Sequence, residues 1–185
     1  MNYTKTQRAL RLTVFSALLA AISIVCGKYL AFNVGDFIRF SFENLPIIFA
    51  GMAFGSPVGA IVGIVADLVG CLLVGYAINP IITVGAGVIG LISGIYHYLP
   101  AKRGRLYHFI KISLTVILTH IIGSVVIKSC GLSLFYDMPL NILMLWRLLN
   151  YLIVGAVEGF ILYHLMKNKR LMAETAKIMK KETKK

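Results

Sequence analysis

Ionisable side chains set inside long apolar stretches are the first features of this chain that chemistry can use. Asp67 stands in Val-Ala-Asp-Leu-Val-Gly, His120 in Leu-Thr-His-Ile-Ile, and Glu158 in Ala-Val-Glu-Gly-Phe. A charge at membrane depth costs about 2.5–3.5 kcal/mol on insertion scales, so each such residue needs a reason to be there. Two readings stay open for each. Asp67 either accepts hydrogen bonds from a ligand or ties two helices together; Glu158 and His120 are functional groups or satisfied residues of the core.

A second set lies towards the ends of the apolar stretches. Lys28, Arg39, Lys128 and Arg147 stand there against Asp36, Glu43 and Asp137. On the expected orientation these ends face outward, where cations are not needed as anchors, so they call for another role. Arg147 follows Trp146 and precedes Asn150 and Tyr151, and Arg147 and Tyr151, four apart, share one helix face. A guanidinium among aromatic rings suits a planar anionic ligand: the rings stack, and the fork binds carboxylate. The alternative is an interfacial Trp/Arg anchor facing lipid. Asn44, Tyr76 and Asn79 are placed to add polar contacts to the same pocket.

The elements that must position these residues are helices in a bilayer. Of 185 residues, 58% are hydrophobic and only 14% charged, with a mean hydropathy of +0.83. Soluble domains carry about a quarter charged residues. Hydropathy predicts spans near 12–33, 43–55, 57–77, 80–99, 107–129 and 143–166, in one domain covering 1–185 with a short basic tail from about 167. The expected fold is therefore an all-α membrane protein, a bundle of six transmembrane helices. The apolar run from Leu12 to Phe32 is too long for a signal peptide core and reads as a retained first helix. The second span is the weakest, with Pro46 near its start and Gly55-Ser56-Pro57 at its end.

The net charge of +12 would suggest nucleic acid in a soluble chain, but its distribution argues for a lipid bilayer instead. Basic residues cluster at Lys5, Arg8 and Arg11, at Lys102, Arg103, Arg105 and Lys111, and along the tail from Lys167. Six crossings place all three clusters, and both termini, on the cytoplasmic side. Cys26, Cys71 and Cys130 show no ligand spacing, so neither a disulfide framework nor a metal site is indicated, and no cofactor is expected.

Small residues recur four apart: Ser16 and Ala20, Ala17 and Ala21, then Gly51, Gly55, Gly59 and Gly63, Gly90 and Gly94, Gly155 and Gly159. Such faces let helices approach closely, within the bundle or against another membrane protein. No phosphate-binding loop of the G-x-x-x-x-G-K-[ST] kind occurs, so no ATP hydrolysis by that route is expected. Ser93 in Gly90-Leu-Ile-Ser-Gly94, with His120 or His164, supplies the ingredients of a small intramembrane enzyme, the alternative of a different class. A self-sufficient channel or carrier is a third.

The basic N-terminus, alanine-rich first span, six predicted helices and missing ATPase motif resemble the substrate-binding (S) components of energy-coupling factor (ECF) vitamin transporters. Within that family, Ile38-Arg-Phe-Ser-Phe-Glu-Asn-Leu-Pro-Ile47 and Gly59-Ala-x-x-Gly-x-x-Ala-Asp-Leu-x-Gly70 look like the folate-specific branch. The resemblance implies a non-enzymatic component of the cell membrane. It would capture folate, or another planar vitamin such as riboflavin, thiamine or a deazapurine precursor, outside the cell. Delivery would need a transmembrane coupling subunit and two cytoplasmic ATPases. The resemblance also implies that Ala17 and Ala21 contact the coupling subunit, and that Arg39, Trp146, Arg147 and Asn150 lie near the ligand.

Overall fold

The computed structural model describes residues 4–34, 38–100 and 104–179. Asp36, Lys102, Arg103 and the last lysines of the tail lie outside the described residues. Eight α-helices account for most of the described chain: α1 (Lys5–Ile24), α2 (Asn44–Phe54), α3 (Ser56–Val74), α4 (Pro80–Ser93), α5 (Arg105–Thr119), α6 (Lys128–Tyr136), α7 (Leu140–Lys167) and α8 (Lys169–Met179). Two π-helical segments continue neighbouring helices: Val25–Tyr29 prolongs α1, and His120–Ile127 joins α5 to α6. Between α1 and α2 lies a small antiparallel hairpin, β1 (Phe32–Val34) and β2 (Ile38–Phe40), with Phe32 opposite Phe40 and Asn33 opposite Arg39.

Among the described residues, five continuous helical stretches are long and apolar enough to cross a membrane: Lys5–Tyr29, Ser56–Val74, Pro80–His97, Arg105–Tyr136 and Leu140–Lys167. The predicted second span is different. Its helix α2 has 11 residues, which at 1.5 Å per residue falls well short of the ~30 Å of hydrocarbon. Nearly every residue of α2 is buried. It is a core helix wrapped by its neighbours, which explains why its sequence is apolar on all sides.

Two other boundaries differ from expectation. The fifth helix does not stop near residue 129 but runs on to Tyr136, so Lys128 lies within it rather than at its end. The basic tail also folds: α8 is amphipathic, burying Thr175 and Ile178 while Leu171 and Met172 pack against the core.

Helices α2, α3 and α4 form a tightly packed unit because glycines meet backbone to backbone. A Cβ on Gly59 would overlap the Gly90 carbonyl oxygen, and one on Gly90 would overlap the Gly59 carbonyl. Interhelical contact this close is what small residues supply in lipid, where apolar burial gives helices no mutual attraction. On α1 the small residues behave otherwise. Ala17 and Ala21 are exposed, on a face shared with Val14, Leu18 and Val25. Helix α1 therefore buries its other side, through Ala20, Ser23 and Ile24.

Candidate functional site

Polar residues gather at the hairpin end of the bundle. A crevice of about 260 Å³, its opening included, lies between α1, α2, α3, α4 and α6. Lys28 and Lys128 face Glu43 and Asp67 across it, with Ser23 and Gly27 completing the polar lining. Gly27 is required by proximity: a Cβ there would stand 2.8 Å from both Cβ and Oε2 of Glu43.

Glu43 and Asn44 open α2, where the chain turns inward from the hairpin. The Lys128 ammonium donates to Glu43 Oε1 at 2.7 Å and to Asn44 Oδ1 at 3.4 Å. Asn44 is fully buried, and its Nδ2 donates to Ser124 Oγ and to the Tyr151 hydroxyl, both at 3.3 Å. The amide orientation follows from its partners, since an ammonium can only donate and so faces the amide oxygen. Ser23 ties α1 to the same corner by donating to the Glu43 carbonyl at 2.6 Å.

Both π segments border this corner. The first carries Gly27 and Lys28; the second carries His120 and Ser124 and leads directly into Lys128. Single π turns recur at functional sites because the wider turn redirects side chains that an α-helix would present elsewhere. Here His120, Ser124 and Lys128, spaced four apart, are all buried on the inward side. Arg147 on α7 reaches the same segment, its Nη1 donating to the Ser124 carbonyl at 2.9 Å. Beneath lies a second buried pair, His120 Nε2 and Glu158 Oε2, at 2.6 Å. The imidazole stacks on Tyr151, with centroids 4.4 Å apart and planes 20° from parallel.

The residues singled out from sequence separate into groups. Asn44, Arg147 and Tyr151 come together around Ser124. Asp67 lines the crevice and also accepts from the Thr83 hydroxyl at 2.7 Å, a bond that ties α3 to α4. Asn150 is buried on α7, one turn from Arg147. Tyr76 is half-exposed just past α3, with the Lys28 ammonium 5.5 Å from its ring centroid. Trp146 is partly exposed on α7. Arg39 sits on β2, and its side chain lies outside the described residues.

Asn79 belongs elsewhere. Its Oδ1 caps α4 by accepting from the Ile81 and Ile82 amides at 3.0 and 3.3 Å, and its Nδ2 donates to the Gly131 carbonyl at 2.8 Å. These bonds use the amide for architecture. Ser93 also loses its functional reading. Its buried hydroxyl donates to the Gly90 carbonyl at 2.7 Å, while His120 is held by Glu158, and His164 Nδ1 lies 2.9 Å from the Phe160 carbonyl oxygen. Sequence reasoning noticed Glu43 and Lys128 only as outer charges and passed over Ser124 entirely. The ion pair joins residues 85 apart, and a lone serine in an apolar helix carries no signal of its own.

An apolar helical bundle with a charged, partly open crevice at one end is a membrane protein built to hold a solute among its helices. The family model for the ECF transporter substrate-specific component matches residues 11–166, and the chain belongs to that family. It is a multi-pass membrane protein and a substrate-binding transport component, not an enzyme. Among solved structures, a crystal structure of FolT bound with folic acid is similar, with a TM-score of 0.69 and 27% sequence identity. The similarity covers 86% of this chain and 95% of that one. No curated protein sequence matches.

Proposed function

We propose that this chain is the folate-binding S component of an ECF-type importer of the cell membrane. The observation that carries the reading is its similarity to folate-bound FolT across 86% of this chain and 95% of that one. The chemistry at the hairpin end is suited to the ligand. A pterin presents an amide edge with donors and acceptors side by side, which Asp67 on the crevice wall can read, with Asn44 behind it holding Lys128 in place. Tyr151 and Trp146 supply rings for stacking, and Arg39, Arg147 and Lys28 supply cations for the glutamate tail. As it stands the crevice is too narrow for a vitamin-sized ligand, so this reading takes it to widen on binding.

Delivery is assigned to partners: a transmembrane coupling subunit and two cytoplasmic ATPases. The exposed small residues Ala17 and Ala21 on α1 support a docking role, because a helix stripped of bulk at two successive turns offers a close approach. The basic character of the N-terminal cluster, Arg105 and the tail supports one cytoplasmic side for all three. That takes a sixth crossing, which α2, too short to span the hydrocarbon alone, would make only together with the segments flanking it.

Calorimetric titration of the detergent-purified chain with folate, with riboflavin and thiamine in parallel, tests the reading. Tight one-to-one folate binding without nucleotide is expected. Heat from another vitamin and silence from folate would keep the family and overturn the substrate.

A further inference from the structure

Two turns below the crevice, His120 and Glu158 form a pair that the ligand does not need to touch. Glu158 is fully buried and His120 nearly so. A spanning helix packs as well with an apolar residue as with an acid, and replacing a buried ion pair by apolar groups is often neutral or stabilising. Keeping both groups here therefore needs a reason beyond stability.

The imidazole is engaged on every side that can specify orientation. Nε2 meets Glu158 Oε2 at 2.6 Å, Nδ1 meets Ser124 Oγ at 3.4 Å, and the ring face lies on Tyr151. Gly155, one turn before Glu158, leaves the space: a Cβ there would stand 3.3 Å from imidazole Cδ2. With Nε2–H donating to Glu158, Nδ1 accepts the Ser124 hydroxyl proton. The Ser124 oxygen is then free to accept from Asn44 Nδ2, whose own oxygen turns to Lys128. One proton order thus runs from Glu158 to the mouth of the crevice.

We propose that His120 and Glu158 are positioning residues for the ligand site, fixing Ser124 and Tyr151 so that Asn44 holds the Lys128 ammonium in one place on the crevice wall. The inference rests on the folate-binding reading and names what holds that site in register. Preorganised polar groups bind more tightly because their ordering cost is already met before the ligand arrives.

The test combines affinity with melting temperature. The double variant His120→Phe, Glu158→Met keeps a ring on Tyr151 and strands no charge. It should melt at or above the parent temperature yet bind folate about ten-fold or more weakly, the scale of a lost polar contact. Glu158→Gln keeps an acceptor for Nε2–H and should bind within about threefold of the parent. Ser124→Ala, a small change that the fold accommodates, should weaken folate by a similar factor and add little to the double variant, as members of one network do. Unchanged folate affinity in either the double variant or Ser124→Ala would overturn the inference while leaving the functional reading intact. A parent protein that fails to bind folate would overturn both.

Discussion

Glu43 at the head of α2 and Lys128 at the start of α6 are joined by a 2.7 Å contact, and their exposures are unequal: 25% for the Glu43 side chain and 5% for Lys128. The acid can turn to water if its partner is lost. The lysine cannot.

That asymmetry sets the order of two substitutions. Glu43→Ala leaves a buried ammonium and should cost about 3–5 kcal/mol, whereas Lys128→Met leaves an acid near the opening and should cost about 1–2 kcal/mol. Thermal unfolding in one detergent, with both variants side by side, reads the difference. Equal losses would mean that Lys128 reaches solvent as readily as Glu43.

Arg147→Ala removes a donor to the Ser124 carbonyl from a half-buried position on α7. Folate affinity should fall at least about tenfold, since charge-assisted hydrogen bonds contribute about 1.5–3 kcal/mol. The protein should remain folded by size-exclusion chromatography. Undiminished affinity would remove Arg147 from the site.

Ala17→Trp and Ala21→Trp place bulk on the exposed face of α1, away from the crevice. Folate binding by the isolated chain should be unchanged, while uptake by cells expressing the whole transporter should be abolished. Normal uptake by both variants would exclude this face from docking.

Gly59→Val drives a side chain into the Gly90 carbonyl across the α3–α4 contact. Overpacking of this kind costs about 1–3 kcal/mol and shifts backbone, so the melting temperature should drop and folate affinity with it. Ser93→Ala, by contrast, removes only a hydroxyl bonded within α4 and should leave folate binding intact. A catalytic role for Ser93 would show as loss of an activity in that variant.

The crossing helices were legible because hydropathy averages over many residues and needs no knowledge of contacts. Pro46 and Gly55-Ser56-Pro57 marked α2 as abnormal, and the structure shows it as a short buried helix. Asn79, expected at the pocket, engages its amide in capping α4, a use legible in Asn79-Pro80 as an N-cap followed by proline at the first position. The shared helix face of Arg147 and Tyr151 was legible from their spacing, a local property. What escaped was long-range: the Glu43–Lys128 pair, Ser124 as the meeting point of Asn44 and Arg147, and the continuation of the fifth helix past Lys128. The two π segments were also invisible, because neither Val-Cys-Gly-Lys-Tyr nor His-Ile-Ile-Gly-Ser-Val-Val-Ile contains a residue type that demands the wider turn.

Those wider turns make the mouth sensitive to chain length as well as to residue identity. A π turn carries one residue more than the α turn it replaces. Deleting a single residue between 121 and 127 would remove the surplus and let the segment relax to α-helix, with the chain beyond it kept near its present bearing and the side chains inside the stretch re-aimed. Lys128 would stay near Glu43, but Ser124 would no longer meet both Asn44 and Arg147 although neither of those residues had been changed. Relatives aligned with a one-residue gap in this stretch would therefore present a different set of side chains to their ligands, whatever identity the rest of the alignment retained.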